Sequence, residues 1–115
     1  MRDLATKEDI AFLVEKFYQA ILKNKFLRPF FENINFKEHL PRMIHFWSFI
    51  LHDEAGYTTN VTEKHIRLPL KKVHFEIWLE LFNKTTDFYF NGKYADKAKE
   101  RAALIGWTIQ SKIIE

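Results

Sequence analysis

Lys64-His65-Ile66-Arg67-Leu68-Pro69 sets an imidazole on a short segment closed by proline, one helix length ahead of His74-Phe75-Glu76-Ile77-Trp78-Leu79-Glu80-Leu81-Phe82. A neutral imidazole placed beside an aromatic helix can offer one nitrogen to a metal or to a flat cofactor in an apolar pocket. His39, His45, His52 and His74 compete for that role. His45 and His52 lie two turns apart on one helix face, which separates their rings by roughly 10 Å. The i, i+4 spacing of a helical zinc pair is absent, so both read as solvated or boundary residues. His74 falls in the first turns of a long helix, one residue off its apolar stripe, where a surface or capping role is the plainer reading. His65 differs because tertiary packing around a brief element sets its ring direction. His39 carries the same ambiguity, and a single histidine is a weak signal of ligation. Tyr18 and Trp78 bring an O–H and an N–H to apolar faces, to be satisfied either by backbone carbonyls or by a ligand. Arg42 and Arg67 read either as solvated charges or as partners for carboxylates on a cofactor's rim.

Length and composition bound what can position these groups. A chain of 115 residues favours one domain over residues 1–115 with one core. Its 12 Phe, 4 Tyr and 3 Trp are a bulky aromatic supply for so small a core, whether as filler in place of leucine or as walls around something flat. The 18 Lys and Arg are scattered among 15 Asp and Glu, so the net charge of +3 argues against nucleic acid as a partner. The absence of cysteine excludes a disulfide framework, a thiolate metal site and haem attached through Cys-x-x-Cys-His. The first nine residues lack the apolar core of a signal peptide, and no run approaches the about 18 apolar residues that span a bilayer. A soluble cytoplasmic protein is the expectation.

Periodicity supplies the elements. Thr6-Lys7-Glu8-Asp9 has the form of a capping box, and Ile10, Leu13, Phe17 and Ile21, widened by Val14 and Tyr18, predict an amphipathic helix ending near Asn24. Phe26 to Phe31, broken by Pro29, predicts a turn or a one-turn helix. Pro41 suits a first helical position, so the next helix is expected from about Leu40 or Pro41 to His52, with His39 at its entrance. Met43, Phe46, Trp47 and Ile50 form its buried stripe, with Arg42 and Ser48 pointing outward. A loop over 53–61 and a short helix from Thr62 to Pro69 follow. The stripe Leu70, Val73, Ile77, Leu81, Thr85, Phe88, with Trp78 and Phe82 alongside, predicts the longest helix, stopped by Asn91-Gly92. A last helix from about Tyr94 puts Ala95, Ala98, Ala102, Ile105, Ile109 and Ile113 on one face, its small first half allowing a close neighbour. No segment alternates with period two, so the fold class is all-α.

Taken in order, Phe17-Tyr18, the run His39-Leu40-Pro41-Arg42-Met43-Ile44-His45-Phe46-Trp47, His65-Ile66-Arg67-Leu68-Pro69, His74 to Leu79 and Arg101-Ala102-Ala103-Leu104-Ile105 resemble the group III truncated haemoglobins of bacteria over nearly the whole chain. The resemblance implies a truncated globin fold, a two-over-two helical sandwich, with haem b between the second and third long elements and its iron bound by His65. It implies that Tyr18, His39 and Trp78, with Phe17, line the distal side. Phe31 would stand near the haem edge and Met43 over its face, with Phe46 also in contact, and Arg42 and Arg67 would meet the propionates. Three isolated glycines fit a group without Gly-Gly turns. Few residues follow Ile113, which implies a short terminal helix and a more open pocket. The implied function is binding of O2, NO and CO, stabilised by donors at Tyr18 and Trp78, with His39 as gate or further donor. Tight retention of oxygen suits redox work, such as NO oxidation or peroxide reduction with an external reductase, better than bulk transport. The alternative from another class is a haem-free globin-like interaction or sensor domain.

Overall fold

A computed structural model of the chain describes residues 1–56 and 70–113. The second half of the expected 53–61 loop and the short helix expected before Pro69, with His65 and Arg67 on it, lie outside the described residues. Among those residues stand five helices and no strand.

Helix α1 (Lys7–Lys23) begins as its first residues dictate. The Thr6 hydroxyl accepts the Asp9 N–H, and Asp9 returns the bond by accepting the N–H of Thr6 at 3.0 Å. The Asp9 carboxylate also takes the N–H of Ala5 and the Arg2 guanidinium, so that it is buried with its charge fully matched. One face of α1 buries Ile10, Leu13, Val14, Phe17, Tyr18 and Ile21, the stripe expected from spacing. At Asn24 the side chain turns back to accept the N–H groups of Phe26 and Leu27, which feeds the chain into the single turn α2 (Arg28–Phe31).

Helix α3 (Phe36–His52) starts earlier than Pro41 suggested. Asn35 caps it by accepting the Lys37 N–H, and Pro41 lies inside, where its missing N–H leaves the Lys37 carbonyl without its usual partner. Packing of Phe36 and Leu40 against the core offsets that loss. The extra turn changes the position of His39, which is no longer at an entrance but one turn below Met43 and two below Phe46, on the same face. Ser48 is buried, not outward as expected, because its hydroxyl donates to the Ile44 carbonyl at 2.8 Å and so needs no water. Arg42 is exposed, as expected. Asp53, in the left-handed region at φ 56°, ends the helix.

Helices α4 (Lys72–Tyr89) and α5 (Lys93–Ile113) form the second pair. The buried face of α4 is rotated from the expected stripe: Phe75, Phe82 and Thr86 are buried, while Val73 is 46% and Phe88 71% exposed. The helix has a broad apolar arc opposite a polar stripe of Glu76, Glu80, Asn83 and Asp87, and within that arc the rings of Phe75 and Phe82 remove more area from water than the Val73 stripe would. With 21 residues against 18, α5 is the longer helix, contrary to the expectation for both. Its small face buries Ala95, Ala98 and Ala102 against the core, which admits α4 closely. Helix α1 packs on α3 and α4, and α5 on α4 and α3, which is the two-over-two sandwich. At its centre Phe82 is stacked between Trp47 and Trp78, with Phe17 edge-on to Phe82 and to Trp78.

One carboxylate joins the N-terminal segment to the start of α5. Asp3 accepts the N–H groups of Tyr94 at 2.9 Å and Ala95 at 2.7 Å, capping α5 from the far end of the sequence. Gly92 is required there, because it holds φ +138° and a Cβ would stand 2.6 Å from the Asp3 carboxyl carbon. Helix α4 ends not on a left-handed residue but on extended Phe90, which pairs with Arg2, and Gly92 then turns the chain into α5. Burial raises the Asp3 pKa, but the N–H groups of Tyr94, Ala95 and Leu4 and the Lys93 ammonium outweigh it and hold the carboxyl below its ordinary 3.8. For Asp9, too, burial is outweighed, by the backbone and hydroxyl of Thr6 and by Arg2. Folded values below the unfolded ones stabilise the fold above the unfolded value and lose that effect as pH falls through the folded ones. Asp3→Ala should therefore cost about 1–2 kcal/mol near neutral pH and make the acid loss of stability shallower. Urea unfolding across the acid range checks both; a variant with the wild-type midpoint at every pH would show that the cap carries no stability.

Candidate functional site

Between the two helix pairs lies an open cleft walled mainly by aromatic and aliphatic side chains. Its walls carry six of the residues singled out in the sequence: Phe17, Tyr18, Phe31, Met43, Phe46 and Trp78. Arg42 stands on the exposed side of α3 and is not among the lining residues. His65 and Arg67 lie outside the described residues.

His39 is half-buried behind the wall, and its Nε2 lies 2.8 Å from the Tyr18 hydroxyl, with the two rings edge to face at 5.0 Å. Tyr18 is positioned by the buried stripe of α1, and His39 by the early start of α3. The tautomer of His39 decides what this pair presents. With the proton on Nε2, His39 donates to the phenol oxygen and leaves the Tyr18 O–H to donate elsewhere; with Nε2 bare, Tyr18 donates to His39. Trp78 is held by its stack on Phe82 and the edge of Phe17, so its ring has little freedom to turn.

Sequence reading missed several lining residues. On α5, Ile105, Gly106 and Ile109 close the cleft, and a Cβ at Gly106 would stand 3.6 Å from the Trp78 ring, an ordinary contact. The signal was the small-residue face of α5, read only as a helix contact. His74 also lines the cleft, in addition to the capping role expected of it: its Nδ1 accepts the Lys71 N–H at 2.8 Å. His45 and His52 do not meet each other. They bond the carbonyls of Ala55 and Leu4, respectively. Among the described residues no three His, Asp or Glu gather as a metal site, and no helix is long and apolar enough to cross a membrane.

No protein-family model matches the chain. The group 3 truncated haemoglobin ctb of Campylobacter jejuni is 32% identical over 114 residues, covering 93% of this chain and 90% of that protein. The crystal structure of group III truncated haemoglobin from Campylobacter jejuni superposes with a TM-score of 0.90 at 30% identity, over all of this chain and 97% of the other. The chain belongs to the group III truncated haemoglobins. Membership in this family of globins implies a haem cofactor, and the cleft of this truncated haemoglobin fits one. Its walls are apolar and ring-rich, with side-chain polar groups limited to the Tyr18–His39 pair, the indoles of Trp47 and Trp78, and His74, and with no carboxylate among the lining residues. That is the surrounding a flat, hydrophobic macrocycle needs to leave water.

Proposed function

We propose that this globin holds haem b in the cleft through the imidazole of His65 and uses it to bind diatomic molecules (O2, NO and CO) for redox chemistry instead of bulk oxygen transport. The observation that carries the reading is the Tyr18–His39 hydrogen bond of 2.8 Å beside an apolar cleft. Haem, when bound, supplies an iron that takes a small molecule at an open position and can change oxidation state. Phe17, Phe31, Met43 and Phe46 hold the macrocycle by apolar contact and exclude water. Tyr18 is the principal donor to the diatomic ligand, with His39 keeping the phenol proton directed into the cleft when its own proton is on Nε2. The Trp78 N–H is the second donor, its ring fixed by Phe82. In an apolar surrounding such prearranged donors act more strongly than in water. Of the two arginines expected to meet the cofactor's carboxylates, Arg42 lies off the cleft wall, which leaves Arg67 as the candidate. Candidate reactions are NO oxidation and peroxide reduction, with electrons drawn from a separate reductase.

Tyr18→Phe keeps the ring and removes one O–H. It should speed oxygen dissociation about tenfold, the effect of losing about 1–3 kcal/mol of polar stabilisation. Stopped-flow off-rates of the two haem-loaded proteins check this. Equal rates would remove Tyr18 from the donor role.

A further inference from the structure

One polar group on the cleft wall has no part in the distal pair. The ring of His74 is fixed twice: Nδ1 accepts the Lys71 N–H at 2.8 Å, and the ring meets Phe30 edge to face at 4.8 Å and 71°. An imidazole whose Nδ1 accepts a backbone N–H carries its proton, when neutral, on Nε2. His74 lines the cleft, and its donor nitrogen, Nε2, stands on the ring edge turned away from Lys71. The same geometry argues against iron ligation by His74. Coordination through Nε2 would require the proton on Nδ1, where it would face the Lys71 N–H, donor against donor.

Around this ring the chain is apolar. Leu70, Phe75 and Ile109 form a small core of their own, with Phe30 and Ile105 packed on it. Among the described residues none accepts from Nε2. Water can meet this half-buried donor while the cleft is open; a ligand that fills the cleft displaces that water and must supply the acceptor itself, since an unmet polar group beside apolar walls is costly. A hydrophobic ring that carries acidic groups on its edge supplies one.

We propose that His74 donates from Nε2 to a carboxylate on the rim of the cofactor, anchoring it at the α4 side of the cleft. This rests on the haem reading of the site and adds a positioning residue to it. The experiment measures release of the bound cofactor to an excess of apomyoglobin, for wild type, His74→Asn and His74→Phe, each loaded with haem or with its dimethyl ester, which lacks both carboxylates. Asparagine retains an acceptor for the Lys71 N–H but is too short to reach into the cleft; phenylalanine retains the ring against Phe30 and has no nitrogen. Both variants should release haem about tenfold faster than wild type, as expected for a lost hydrogen bond to a charged group. They should release the diester at the wild-type rate. Equal haem release in all three proteins, acceleration confined to His74→Phe, or the same acceleration with the diester would overturn the proposal. Failure of the wild type to take up either compound would instead sink the haem reading, and the proposal with it.

Discussion

Phe82→Ala should lower the stability of the fold by about 3–5 kcal/mol, the range for removing a fully buried aromatic ring. Phe82 is 0% exposed and lies between two indoles, 5.0 Å from Trp47 and 6.0 Å from Trp78, nearly parallel to both at 22° and 21°. Phe17 meets its edge at 5.1 Å. Truncation leaves a hole bounded by three rigid rings from α1, α3 and α4, none of which can fill it without leaving its own contacts, so the full cavity cost applies. Because Trp78 rests on the ring that is lost, the cleft wall should loosen together with the core. Urea unfolding should show a lower midpoint with an unchanged slope. Phe88→Ala on the same helix, at a side chain 71% exposed, should stay within about 0.5 kcal/mol of wild type. A Phe82→Ala cost no larger than that would mean the stack is not the centre of the fold.

This contrast shows where local sequence stops determining structure. Helix α1 was legible from its own residues, since the Thr6–Asp9 box and the Ile10 to Ile21 stripe are both short-range signals. The start of α3 was not. Pro41 is the stronger local mark, but burial of Phe36 and Leu40 is a tertiary effect that carries the helix back to Asn35. On α4 the sequence offers two apolar stripes, and only the neighbours α1 and α5 select the one through Phe75 and Phe82. No local reading could anticipate that Asp3 caps a helix beginning at Lys93.

The site divides in the same way. Tyr18 was legible as a buried residue with a polar tip, and His39 as ambiguous. Their 2.8 Å contact depends on the added turn of α3. His74 was legible as a cap, but its place on the cleft wall depends on Phe30 and Ile109, which come from distant parts of the chain. The resemblance to the group III truncated haemoglobins, carried by several short motifs in register, reached further than any one of them, and the 32% identical relative and the 0.90 superposition bear out both family and fold.

His65→Ala has the largest effect expected on function. Among the described residues two histidines, His39 and His74, stand at or behind the cleft wall, and neither is suited to the iron. His39 is engaged with Tyr18, and His74 has its Nε2 proton fixed by the Lys71 N–H. The family resemblance assigns the ligand to His65, and without that imidazole the macrocycle would be held by apolar contact and rim carboxylates alone. Loss of a direct ligand should exceed the 10- to 100-fold typical of removing an outer-shell partner, so haem affinity should fall by at least about a hundredfold. The most direct test is a haem titration followed by the Soret band, run in parallel on the wild-type protein and on His65→Ala. The account predicts a sharp band that saturates stoichiometrically in the wild type and is greatly weakened in the variant. An absent saturable band in the wild type would contradict haem binding in the cleft, and an identical band in the variant would contradict His65 as the iron ligand.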